Sequence, residues 1–129
     1  GDGADMAAIK AMIQRHAAAF AASYVHGKVI DHADEHLHAY KVFVNPSVSD
    51  VLCTAVAEAL AMGKIVVLYD HPSNDFFRSF ANCLIFKDAK DFSKQVKAAL
   101  EMQPKPLSDE EAYRLSWSAA TDRLYTAAR

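Results

Sequence analysis

At 129 residues, 52% hydrophobic and 23% charged, the chain has the length and composition of one globular domain with a core of its own. A net charge of −2 gives no broad basic field for nucleic acid, and no run approaches the roughly 18 apolar residues of a membrane span. The only two cysteines, Cys53 and Cys83, sit in apolar settings, which argues against a disulfide framework and for a reducing compartment.

In chain order, Gly1-Asp2-Gly3 comes first. In a nucleotide-binding α/β fold such a loop follows a strand, so the expectation is a fragment of a longer chain cut at that loop. Residues 5–22 read as a helix: Ile9, Ile13, Ala17 and Phe20 keep i, i+3/i+4 spacing on one face, with Asp5 as cap. Tyr24-Val25-His26 reads as a short strand ended by Gly27, with Val29-Ile30 a continuation. The segment Asp31 to His38 carries His32, His36 and His38 among acids. A zinc site can be drawn there, but no cysteine and no distant ligand set accompanies it. The reading adopted is a solvated short helix that holds no structural metal.

The organising stretch is Val42 to Tyr69. An apolar run, Val42–Val44, ends at Asn45-Pro46-Ser47; a nearly all-apolar helix is expected over Val51–Met62; Gly63-Lys64 stops it; a second apolar run, Ile65–Leu68, follows. This is a βαβ unit, and runs without alternation predict a parallel sheet covered on both faces. The helix's few polar positions, Asp50, Thr54 and Glu58, recur every four residues and would form one stripe from its N-terminus. One reading is a polyol-plus-phosphate site, with first-turn N–H groups and Thr54 holding phosphate and the carboxylates accepting from hydroxyls. The other is that Asp50 is an ordinary N-cap and Glu58 is satisfied by a neighbouring strand.

Beyond Leu68, Asp70 to Asp75 is a turn. Ser73 or Asn74 is expected to cap a short helix over Phe76, Phe77 and Phe80, with Phe76 and Phe77 in the core. Cys83–Phe86 is the next strand, and Asp88–Met102 a helix with Phe92, Val96 and Leu100 on one face. Gln103-Pro104-Lys105-Pro106 breaks it, and Ser108-Asp109-Glu110-Glu111 is a capping box that opens a final bent helical region to Leu124. No internal repeat and no G-x-S-x-G hydrolase motif is present.

The block from Pro46-Ser47 through Asp50, Glu58 and Gly63-Lys64 to Val66-Val67 resembles the donor-site motif of retaining GT-B glycosyltransferases of the glycosyltransferase 4 group. Together with His71-Pro72-Ser73-Asn74-Asp75-Phe76-Phe77 it resembles, more narrowly, the digalactosyldiacylglycerol synthases of plants and algae. The upstream pieces Gly1-Asp2-Gly3-Ala4-Asp5 and Asp31-His32-Ala33-Asp34 agree, so the resemblance covers most of the chain.

The resemblance implies a Rossmann-like parallel sheet, the C-terminal half-domain of a GT-B enzyme over 1–129, lacking its first two strands and ending in a helical tail over 108–129. The 24–26 strand would then pair beside 42–44 in a four-stranded sheet, or a second chain would supply that edge. In the implied reaction, galactose passes from UDP-galactose to monogalactosyldiacylglycerol with no metal or other cofactor. By position, Glu58 would bind ribose hydroxyls. Asp50, in place of the family's first glutamate, would stand near the sugar hydroxyls. The backbone at Val51, Leu52, Cys53 and Thr54 would meet the diphosphate. Gly1, Gly3 and His32 would also face the donor. The implied acceptor is a galactolipid held by an N-terminal domain, and the implied location is peripheral on the plastid envelope. Trp117 and Tyr125, in a tail that crosses to that domain, would mark its surface. The alternative is a non-catalytic small α/β regulatory or interaction module.

Overall fold

Four consecutive apolar residues, Ile65–Leu68, cannot all face one side of a strand, because successive side chains point to opposite faces. In the computed structural model, which describes residues 3–19, 21–24, 31 and 34–129, all four are fully buried and divide strictly between two clusters. Val66 and Leu68 pack with Val56, Leu60, Phe77 and Phe80; Ile65 and Val67 pack with Phe86 and Ala99. Strand β2 (Ile65–Tyr69) is therefore the centre of a three-layer α/β/α arrangement.

β2 lies between β1 (Val42–Asn45) and β3 (Cys83–Phe86), both parallel to it, in the order β1-β2-β3. Val42 is level with Ile65, and Val66 with Cys83. Helix α2 (Thr54–Ala61) and a 3-10 helix over Pro72–Phe77 cover one face, and α3 (Ala89–Glu101) covers the other. Gly63, at φ +74, ends α2 in the left-handed region that glycine enters without a Cβ clash. The protein is thus a mixed α/β fold on a parallel sheet, the Rossmann-like form expected of a GT-B half-domain. Among the described residues the sheet has three strands. Val25 and His26 of the expected 24–26 strand, and Val29-Ile30, lie outside them, and Tyr24 is in no regular element.

The chain divides into two units, Gly1–Asp31 and His32–Arg129. In the first, α1 spans Met6–Arg15, shorter than the helix expected over 5–22. Asp5 takes the N-cap position without a side-chain cap bond, and no α1 residue is buried. Helix propensity alone does not carry a run of alanines far beyond the last turn when no apolar face is covered. Phe20 lies outside the described residues.

In the second unit, the final helical region is two helices, α4 (Asp109–Arg114) and α5 (Trp117–Ala127), separated at Leu115-Ser116 where a bent single helix was expected. Ser116 causes the break: its hydroxyl accepts the Ala119 N–H and so caps a new helix. The capping box at Ser108 and Glu111 is formed as the sequence predicts. Asp88 likewise caps α3 by accepting the Asp91 N–H.

Candidate functional site

Parallel sheets bind ligands outside the carboxyl ends of their strands. The loop that leaves that end of β1 and enters α2 carries Asp50, Val51, Leu52 and Cys53, so the expected site residues stand at the expected edge of the sheet. Their local structure differs from the expectation in one respect. α2 begins at Thr54, with Cys53 as its N-cap, and not at Val51. Asp50 is therefore neither a helix N-cap nor the first member of a helical stripe. Only Thr54 and Glu58, one turn apart, share the helix; Thr54 is exposed and Glu58 half-buried.

Local side-chain bonds shape the loop ahead of the helix. The Asn45 Oδ1 accepts the Ser47 N–H at 3.0 Å, and the Ser47 Oγ accepts the Ser49 N–H at 3.4 Å. Such bonds offer the backbone an alternative to the helix. Asn45 Nδ2 also donates to Asp50 Oδ2 at 3.3 Å, holding the half-buried carboxylate against the end of β1. Val51, at 95% exposure, and Leu52 then project outward ahead of the first turn of α2. Burial pushes the Cys53 thiol up, and the Asp50 carboxylate beside it adds to that; the first-turn N–H of Val56 opposes both. The thiol is accordingly mostly protonated near neutral pH and a weak nucleophile. Cys83, more deeply buried, is pushed up to about 12.

Two concavities flank this loop. An open groove of about 430 Å³ runs along the carboxyl ends of the strands, lined by Val44, Pro46, Tyr69, Phe86, Lys87 and Phe92 among others. A second, of about 240 Å³, lies between the start of α2 and the tail, lined by Leu52, Thr54, Phe76, Arg114, Trp117 and Arg123 among others. Its wall is a cation–aromatic stack. The Arg114 guanidinium sits 4.9 Å from the Phe76 ring centre and 4.6 Å from that of Phe80, and Arg123 lies 5.1 Å from Phe76. Arg114 also donates to the Ser79 Oγ and the Phe76 carbonyl, binding the tail to the loop after β2. Trp117 (89% exposed) and Tyr125 present bare aromatic surface.

Of the remaining expected site residues, Gly1 and His32 lie outside the described residues. Gly3 precedes α1, where its carbonyl accepts the Met6 N–H at 3.0 Å. His36 is exposed, and its Nδ1 pairs with Asp34 Oδ1 at 2.6 Å; no metal-binding cluster occurs among the described residues. The short helix after β2 is capped by His71, whose Nδ1 accepts the Ser73 N–H, and not by Ser73 or Asn74. Asn74 is instead buried, donating to the Tyr69 carbonyl. Sequence reasoning passed over Asn45 and Arg114. The position of Asn45 immediately before Pro46 at a strand end is an Asx-turn signal that could have found it; Arg114 carries no local signal.

Comparison with known proteins gives a consistent result. Residues 1–102 match the model of the family described as glycosyl transferases group 1. The chain is 67% identical over 94 residues to digalactosyldiacylglycerol synthase 1, chloroplastic, of Glycine max, and 64% identical to the protein of that name from Arabidopsis thaliana. Each match covers 73% of this chain and 12% of the relative. It is 52% identical over 98 residues to digalactosyldiacylglycerol synthase 2, chloroplastic, of Lotus japonicus, covering 76% of this chain and 21% of that protein. The chain thus spans between about an eighth and a fifth of the length of these relatives.

Proposed function

The chain belongs to the glycosyl transferases group 1 family, and on that premise we propose that it is the donor-binding part of a retaining galactosyltransferase that makes digalactosyldiacylglycerol from monogalactosyldiacylglycerol. The observation that carries this reading is the 64–67% identity to digalactosyldiacylglycerol synthase 1 proteins over 94 residues. The position of the Asp50–Glu58 segment at the carboxyl edge of a parallel sheet supports it.

In this reading UDP-galactose lies across the start of α2. Glu58 accepts from the ribose hydroxyls, and Asp50 from hydroxyls of the galactose. The backbone from Val51 to Thr54 and the positive end of the helix meet the diphosphate. The acceptor's hydroxyl is the nucleophile, and stabilising the departing UDP is the protein's main electrostatic task. The donor is a substrate, and no metal or organic cofactor enters the scheme. The lipid acceptor is held by a part of the polypeptide outside this chain, which is peripheral on a plastid membrane. Residues 1–129 then act as one nucleotide-sugar-binding unit, with 108–129 as a tail that meets the acceptor-binding part.

The test is calorimetry of UDP binding to the complete enzyme and to its Glu58→Ala variant. A hydrogen bond to a charged group contributes about 1.5–3 kcal/mol, so affinity is expected to fall roughly 10- to 150-fold. Equal affinity in the two proteins overturns the assignment.

A further inference from the structure

Asp50 reaches the edge of the sheet through a loop, not on a helix, so something other than helical geometry must aim it. The contacts name Asn45, the last residue of β1. Its amide is used at both ends: Oδ1 accepts the Ser47 N–H at 3.0 Å and Nδ2 donates to Asp50 Oδ2 at 3.3 Å. These two contacts also fix the orientation of the amide. Turned over, it would set an NH2 against an N–H and a carbonyl against a carboxylate. Asn45 rides on a strand paired to the buried β2, level with Leu68, so the loop is referred to the rigid centre of the fold.

We propose that Asn45 is a positioning residue for sugar recognition: it closes the 45–50 loop and orients the Asp50 carboxylate toward the donor's hexose. The proposal rests on the reading of Asp50 as a sugar-hydroxyl acceptor. It explains why neither neighbour in chemistry would serve. Aspartate keeps the acceptor for Ser47 but sets a second carboxylate against Asp50; leucine keeps the volume and supplies neither contact. A site held by packed, hydrogen-bonded support loses affinity when that support is removed even though the contacting group remains.

The experiment uses this chain, isotopically labelled, with UDP and UDP-galactose each titrated to millimolar concentration and followed by amide spectra. The readout is the ratio of the two affinities, which isolates the hexose. Asn45→Asp, Asn45→Leu and Asp50→Asn are compared with the wild type, and the spectra report whether each is folded. Asn45→Asp keeps the Ser47 contact and is the variant that decides if Asn45→Leu does not fold.

The expected result is a preference for UDP-galactose over UDP that falls about tenfold in both Asn45→Asp and Asp50→Asn, with UDP affinity unchanged. A silent Asp50→Asn overturns the reading of Asp50, and this proposal with it. A loss in Asp50→Asn with an unchanged preference in Asn45→Asp overturns this proposal alone.

Discussion

Glu111 provides the sharpest test of how the tail is held. One carboxylate serves three donors. Oε1 accepts the Ala81 N–H at 2.7 Å, and Oε2 accepts the Ser108 N–H at 2.9 Å and the Ser108 hydroxyl at 3.1 Å. The first of these ties α4 to the turn before β3, 30 residues away; the second completes the capping box, and the third adds a side-chain contact to it. Glu111→Ala removes all three. Each bond to a charged acceptor would contribute about 1.5–3 kcal/mol if buried, but the site is largely open to water and screening applies. The working figure is therefore about 1–2 kcal/mol in total, or about 5–10 °C in melting temperature for a unit of this size.

The pH dependence distinguishes this account from a generic loss of helix. The backbone N–H groups of Ser108 and then of Ala81 hold the Glu111 carboxyl below the ordinary glutamate range. A depressed folded value means that the stabilisation is complete above the ordinary value, about 4.3, and is lost as pH falls through the folded value. Thermal unfolding of wild type and Glu111→Ala, followed by circular dichroism at about pH 7, 5 and 3, is the assay. The difference in melting temperature is expected to be the same at the two higher values and to shrink at the lowest. Equal melting at pH 7, or a difference that persists undiminished near pH 3, would refute the reasoning.

Gly63→Ala is expected to lower stability by about 1–2 kcal/mol in urea unfolding, because φ there is +74 while an added Cβ meets nothing within 4 Å, so the cost is conformational alone. Gly63→Asn should cost less; an alanine variant as stable as wild type would contradict this. The two cysteines should differ toward a thiol reagent at about pH 8. Cys83, pushed up to about 12 by burial, is expected to react only on unfolding, whereas Cys53, less deeply buried, reacts slowly in the native state. Rapid labelling of both in native protein would show that burial does not govern them.

The elements that depend on neighbours along the chain are legible in residue order alone. β3 at Cys83–Phe86, α3 along most of its length, and the capping box of Ser108 and Glu111 stand where period and cap chemistry place them, although Leu100 of the expected α3 face is exposed and Ala99 is buried in its place. So does the burial of β2 on both faces, since an apolar run without alternation leaves no face for water. The region of the candidate site is legible too, because the spacing from Asp50 to Glu58 and the glycine after it lie within one short stretch.

What sequence could not decide was how groups compete for partners. Asp50, Thr54 and Glu58 fit a helical stripe equally well on paper, but the Asn45 amide engages the Asp50 carboxylate that would have capped an earlier helix start. His71 outcompetes Ser73 and Asn74 as a cap because Asn74 is drawn into the core to satisfy the Tyr69 carbonyl. Arg114 meets Phe76 and Ser79 across more than 30 residues of chain. Periodicity and cap preference are short-range properties of a polypeptide and can be read from order alone. The choice among several adequate hydrogen-bond partners depends on which of them folding brings within about 3 Å, and only the tertiary structure decides that.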